Sequence, residues 1–165
     1  MAMLLLGAGN ACYFKDFSAD SIHLPRLGWT PSVAEGSTLA VPHLSVLQTS
    51  ISELELAGIS EDGCLYWSRL RLQDDGKADV TTICSRWPHA EGYLTAAIIR
   101  SGLVAGVKKN CVEWLACGAA KEFSKRKSST IDFPKPVACF PLNYSGSELI
   151  LVGSEGTVGR IPMLG

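Results

Sequence analysis

Two glycines near the start of the chain, Gly7 and Gly9, have the spacing that begins a phosphate-binding loop. In a dinucleotide-binding fingerprint, the pattern GxGxxG precedes a helix whose N-terminal amides face the pyrophosphate, and an acidic residue lies about 20 positions later. Here Cys12 stands in place of the third glycine, and the segment between Cys12 and Pro25 has no helical periodicity. The sequence favours a tight turn between two strands, and dinucleotide binding through Gly7 and Gly9 is the lesser alternative.

Other residues with catalytic potential do not fall into a recognisable pattern. The chain has three histidines but no GxSxG motif for a nucleophilic serine. Its six cysteines form no CxxC pair, so a zinc site is not predicted. Glu53 and Glu55 alternate on one face of a predicted strand, where we expect a solvated edge. We predict no catalytic residue, no metal and no cofactor, and a small β-rich enzyme or ligand-binding domain remains the alternative.

Composition indicates a globular chain with a sizeable core. Of the 165 residues, 47 % are hydrophobic and 19 % are charged, which suits a single folded domain. Fifteen basic residues balance 16 acidic ones, so the overall charge favours neither nucleic acid nor an acidic membrane surface. No apolar run approaches the roughly 18 residues that cross a bilayer. The cysteines favour a reducing compartment, and we expect an intracellular protein of the cytoplasm or nucleus.

Short apolar and β-branched runs, bounded by turn-forming residues, recur along the whole chain and predict an all-β fold. The expected strands are Met3–Ala8, Ala11–Lys15, Ser21–Leu24, Leu39–Leu47, Leu54–Ser60, Cys64–Leu72, Ala78–Ser85, Tyr93–Ile99, Gly102–Val107, Cys111–Cys117, Ser129–Phe133, Val137–Leu142, Glu148–Gly153 and Thr157–Pro162. The expected loops are Pro25–Gly36, Trp87–Gly92 and Gly118–Ser128.

Four segments repeat one pattern of an apolar strand, a glycine, a polar turn and a second apolar strand. The repeated glycines are Gly7, Gly58, Gly106 and Gly153, at intervals of 51, 48 and 47 residues. This interval matches a four-stranded blade of a β-propeller, which takes about 40 to 50 residues. Trp67 and Trp114 occupy equivalent positions, where we expect them to pack between sheets with each indole N–H bonded to a carbonyl.

The repeat predicts one propeller-like domain of about four units, residues 1–36, 37–90, 91–134 and 135–165. Each unit contains a hairpin, and Gly63, Asn110 and Gly156 fall where a tight turn needs a positive φ. The first unit lacks a strand before its hairpin and the last lacks one after it. We therefore expect a partial or small β-propeller, open at its ends and completed by a partner chain, by self-association or by further residues of a longer protein.

The segments LAGISEDGCLYWSRL and SELILVGSEGTVGRIPM resemble degenerate WD40-type blades. The pattern of Gly58, Gly63, Trp67 and Leu70, followed by the run Tyr93–Thr95, is also similar to the propellers of nuclear-pore scaffold subunits. The chain departs from WD40 repeats in having no Gly-His pair that opens a blade and no Trp-Asp pair that closes one. The resemblance implies a non-catalytic scaffold that binds other proteins within a larger assembly.

One basic run, KEFSKRKSS, lies in the predicted loop of the third unit. Its cations are Lys121, Lys125, Arg126 and Lys127, and several hydroxyl groups lie beside them. The run could bind an acidic partner, accept a phosphate or act as a nuclear-import signal, or it could simply be a solvated loop. We predict protein partners, with self-association as one alternative, and take these four residues as candidate contacts.

Overall fold

A computed structural model describes residues 3–8, 11–16, 26–27, 44–59, 63–72, 78–85, 92–117, 123–142 and 148–163 of the chain. These residues form the strands β1 (Met3–Ala8), β2 (Ala11–Asp16), β3 (Arg26–Leu27), β4 (Leu44–Gln48), β5 (Glu53–Ile59), β6 (Leu65–Leu72), β7 (Ala78–Ser85), β8 (Tyr93–Arg100), β9 (Leu103–Lys108), β10 (Cys111–Cys117), β11 (Phe123–Thr130), β12 (Pro136–Pro141), β13 (Glu148–Gly153) and β14 (Val158–Pro162). The described part of the chain contains no helix. For these residues the predicted all-β class is confirmed.

The strands pair with their neighbours in sequence, and every pairing is antiparallel. The sheets are β1–β3, β4–β7, β8–β11 and β12–β14, and each is a simple meander. All four repeated glycines lie in the first strand of a hairpin, in β1, β5, β9 and β13. Among the described strands, none forms a β-ladder with a strand of another sheet. The glycine repeat therefore corresponds to a repeated hairpin.

Apolar side chains of β8, β9 and β10 are buried on both faces of the sheet β8–β11. On one face, Ala96, Ile98 and Leu115 pack with Trp67 of β6 and other residues of the sheet β4–β7. On the other face, Ala97, Ile99 and Trp114 pack with residues of the sheet β12–β14. The side chains of β8 alternate between the two clusters, as the period of two in a strand requires. Strand β8 packs against β4 and β5 on one side and β12 on the other.

The strand predictions for Met3–Ala8, Ala78–Ser85, Cys111–Cys117 and Glu148–Gly153 match the observed bounds. Two of the predicted loops were wrong. The short strand β3 lies inside the predicted loop Pro25–Gly36, where it pairs with Cys12 and Tyr13 of β2. The basic run was predicted as a loop up to Ser128, followed by a strand over Ser129–Phe133. Instead this run forms β11, which begins at Phe123 and ends at Thr130. Pairing with the buried strand β10 outweighs the low strand propensity of the lysines and serines in β11.

Glycine is required at two of the three predicted turn positions. Gly63 has a φ of 79° and Gly156 a φ of 80°, as expected. The prediction for Asn110 was wrong, because its φ is not positive. Its carbonyl instead accepts a hydrogen bond from the Ile131 amide, at 2.9 Å, which extends the β10–β11 ladder.

Candidate interaction surface

The basic strand β11 carries Lys125, Arg126 and Lys127 along one edge of the sheet β8–β11. Its partner is β10, and no other described strand pairs with it. The register shifts between Trp114 and Leu115, so Arg126 falls at a β-bulge between the paired residues Lys127 and Lys125. Lys121, the fourth predicted contact, lies outside the described residues. Three of the four predicted cations thus share one edge strand, where charge also discourages edge-to-edge aggregation.

The three cations have different surroundings. Lys125 forms an ion pair with Glu113, with Nζ 2.9 Å from Oε1. The Lys127 Nζ lies 5.9 Å from the centre of the Trp114 ring, on the opposite face of the sheet. Arg126 is exposed, and no ion pair between described residues involves it. Arg126 therefore has its charge most available for a partner.

Glu113 is the centre of a buried polar network beside the basic strand. It accepts a hydrogen bond from the Tyr93 hydroxyl at 2.5 Å, and the Nζ of Lys108 lies 3.4 Å from Oε2. Burial by itself would raise the pKa of Glu113, but the bonds from Tyr93 and Lys125 and the charge of Lys108 outweigh it, so this pKa is lowered. Burial and the bond to Glu113 raise the pKa of Tyr93. Glu113 is therefore ionised and Tyr93 neutral at physiological pH.

Glu55 connects the sheets β4–β7 and β8–β11. Its side chain is fully buried and receives hydrogen bonds from Ser101 Oγ at 2.5 Å and from the Gly102 amide at 2.9 Å, both in the turn before β9. Within its own sheet it receives bonds from Arg69 Nη2 at 2.8 Å and Trp67 Nε1 at 3.3 Å. The expectation of a solvated Glu55 was wrong, because four donors compensate for its burial.

The charge of Glu55 is stabilised by the same donors. Burial would raise the pKa of its carboxyl, but the hydrogen bonds from Ser101, Gly102 and Arg69 together lower it. An ionised carboxylate whose oxygens already accept four bonds has little remaining capacity for another ligand. Glu55 is thus a structural anion that joins two sheets.

The two equivalent tryptophans differ in their indole N–H groups. Both are buried between sheets, as predicted, but Trp67 donates to the Glu55 carboxylate and not to a backbone carbonyl. Trp114 Nε1 is buried and has no hydrogen-bond partner within the described part of the chain. The register explains the contrast: Trp67 pairs with Ala57 and Trp114 with Ala105, and two residues before each alanine lie Glu55 and Leu103. Leucine provides no acceptor, so the Trp114 donor lacks the partner that Trp67 has.

The buried cysteines behave as small apolar residues. Cys64, Cys117 and Cys139 are buried thiols, and burial raises the pKa of Cys139 to about 12. Within the described ranges, no three histidine, cysteine or acidic side chains lie close enough together to hold a metal ion. No helix among these residues has the length and apolar character needed to cross a bilayer.

No protein-family model matches the chain, and no curated protein matches its sequence. The candidate surface therefore depends on the geometry of the chain itself. Sequence reasoning identified the cations of β11 but missed the buried roles of Glu55 and Glu113. One signal was available for Glu113, because it is the only charged residue in the otherwise apolar run at 111–117.

Proposed function

We propose that this chain is a non-catalytic protein-interaction module in which successive sheets are stacked as blades of a partial, WD40-like β-propeller. The order of strands within the sheets supports this arrangement, as does the position of β8 between β4–β5 and β12. The apolar residues on both faces of β8–β11 are those that stacked blades require. Buried thiols at Cys64, Cys117 and Cys139 favour a reducing compartment inside the cell.

The observation that carries the interaction role is the basic strand β11. Both faces of β8, β9 and β10 are buried, whereas the side chains of β11 after Phe123 are exposed or half-buried, so a partner reaches this sheet mainly at β11. That edge presents Arg126 and Lys127 together with the backbone of a strand that, among the described strands, pairs with β10 alone. An acidic surface or an acidic extended segment fits such an edge.

The hydrogen bonds and pKa values of the two buried carboxylates support the non-catalytic interpretation. Glu55 and Glu113 each have a lowered pKa and several donors, so neither has a proton to donate to a substrate at neutral pH. Their bonds join strands and sheets. They stabilise the scaffold that holds β11 in position.

Affinity capture with the intact chain tests the proposal. We expect the wild-type chain to retain a specific acidic protein, and the charge reversal Arg126→Glu to weaken that retention. The matched control is Arg71→Glu on β6, which makes the same charge change at a side chain that is 61 % exposed. Equal retention by all three chains would contradict a role for the basic strand. A compact monomer in light scattering that retains no protein would contradict the module as a whole.

A further inference from the structure

Strand β14 has a hydrogen-bonding edge that no described strand occupies. The Gly153 amide donates to the Thr157 carbonyl at 2.7 Å, which makes these two residues a hydrogen-bonded pair of the antiparallel ladder. Because such pairs alternate, Gly159 and Ile161 bond to β13, and the backbones of Val158, Arg160 and Pro162 point the other way. This outer edge offers two N–H groups and three carbonyls, since Pro162 has no N–H.

A groove of about 380 Å³ runs beside this edge. The residues that matter for its chemistry are the apolar Ile131, Phe133, Leu151 and Ile161 and the charged Asp132 and Arg160. Leu151 and Ile161 belong to the cluster that packs on the sheet β8–β11, so the groove lies on that side of β14. A volume of this size is within the range of pockets that bind ligand groups.

Glycine at position 159 keeps the groove and its wall in place. A Cβ atom at Gly159 would stand 2.7 Å from Phe133 Cε2. The phenyl ring therefore lies directly over the backbone of β14. The groove beside it is bounded by the ring on one side and by Ile161 on the strand itself.

The neighbouring sheet shows what a strand in this position does. In the sheet β8–β11, the fourth strand β11 pairs with the third, and its Phe123 turns towards the preceding sheet, where it is 3 % exposed among core residues. In the sheet β12–β14, a fourth strand would pair with β14 and would turn alternate side chains towards β8–β11. Those side chains would enter the groove.

The charge at this edge selects the partner. Arg160 is 67 % exposed, and the nearest oxygen of its partner Glu148 is 3.9 Å from Nη1, a loose ion pair. A residue opposite Arg160 on an added strand would share the outer face with it, whereas residues opposite Gly159 and Ile161 would face the groove. The site thus fits an acidic residue between two apolar ones.

We propose that β14 binds an extended segment of a partner protein as a fourth antiparallel strand, with apolar side chains in the groove and an acidic side chain opposite Arg160. This inference rests on the proposed interaction role and adds a second contact to it, distinct from β11. Backbone hydrogen bonds would hold the segment, and alternate side chains would select its sequence.

The test uses the full ¹⁵N-labelled chain and three capped synthetic peptides. The first contains Thr-Leu-Glu-Leu-Val, the second has Lys in place of Glu, and the third carries an N-methyl group on the Glu nitrogen, which faces Arg160. We expect the first peptide to shift the amide signals of Val158 and Arg160 and to slow their hydrogen exchange. The Lys peptide should bind about three- to tenfold more weakly. Its lysine would place a like charge opposite Arg160 instead of an opposite charge, and a cross-strand charge pair changes the binding free energy by up to about 1 kcal/mol. The methylated peptide should not bind.

Charge reversal provides the matched comparison. Arg160→Glu should reverse the preference so that the Lys peptide binds more tightly, and Arg71→Glu should leave the preference unchanged. Both variants are checked for the wild-type circular dichroism spectrum. Three results would overturn the inference: no shift at Val158 and Arg160, equal binding of all three peptides, or amides already protected in a chain that self-associates, which would make a second copy the occupant.

The outcome for β14 is separable from the outcome for β11. If the wild-type chain captures a protein that Arg126→Glu loses, but no peptide reaches β14, the inference fails and the proposed function stands. If the peptide binds at β14 but capture does not depend on Arg126, the role of the basic strand fails alone.

Discussion

The ring of Tyr93 lies across Gly106 so closely that a Cβ atom at that glycine would stand 2.5 Å from Tyr93 Cε1. Gly106 is also the strand partner of Glu113, the acceptor of the Tyr93 hydroxyl bond. The absence of a side chain at Gly106 therefore lets the aromatic ring cross one strand and reach a carboxylate on the next. One of the repeated glycines is therefore needed to make room for an aromatic ring, a role that the repeat pattern did not reveal.

Gly106→Ala should destabilise the chain by about 1–3 kcal/mol, because the added methyl group forces Tyr93 out of its position in the core. Urea unfolding followed by tryptophan fluorescence measures the change. In a Tyr93→Leu background the ring is absent, and the same substitution should cost clearly less. Equal costs in the two backgrounds would show that Tyr93 and Gly106 are not coupled.

Glu55→Gln should lower the free energy of unfolding by about 1–3 kcal/mol, because it weakens charge-assisted bonds at a fully buried site. The adjacent pair provides the control. Glu53 and Arg71 form a similar ion pair at 3.1 Å, but their side chains are 31 % and 61 % exposed. Glu53→Gln should therefore cost less than about 1 kcal/mol. A larger loss at Glu53 than at Glu55 would contradict the inter-sheet role of Glu55.

Acid should destabilise the chain through Glu55 and Glu113. Both pKa values are lowered from 4.5 in the folded state, so the unfolded chain binds more protons as the pH falls. The stabilising contribution is present above pH 4.5 and is lost as the pH falls through the lowered folded values. We expect the urea midpoint to drop on acidification from neutral pH. Glu55→Gln should reduce that drop, and an unchanged pH dependence would count against the assignment.

Trp67→Phe should cost about 1 kcal/mol more than Trp114→Phe. Both substitutions remove similar buried area, but the first also removes the hydrogen bond to Glu55, whereas the second removes a donor for which the described residues supply no acceptor. Parallel urea titrations of the two variants measure the difference. The opposite order would mean that Trp114 Nε1 has an acceptor in solution.

The sequence was informative wherever a local pattern determined the structure. Alternating apolar residues and turn glycines located most strands, because these signals act over a few residues. It was uninformative where the environment came from distant segments. The basic run became β11 because β10 pairs with it, and Glu55 is buried because Ser101 and Gly102, 46 and 47 residues further along, donate to it.

The candidate surface was only partly predictable for the same reason. Composition located the cations near Arg126 but not the edge that displays them. The contrast between Trp67 and Trp114 required the strand register, which the sequence alone did not specify. The edge of β14 likewise emerges only when the direction of each backbone group is known.

The sheet β8–β11 contributes to both hydrophobic clusters, so the other two sheets that pack on it depend on it for their burial. The sheets β4–β7 and β12–β14 each bury one apolar face against β8–β11. If β8–β11 unfolds, both of these faces become exposed to water. A cut or truncation within residues 92–117 should then release both halves together, and the molecule should lose its structure in one concerted step rather than sheet by sheet.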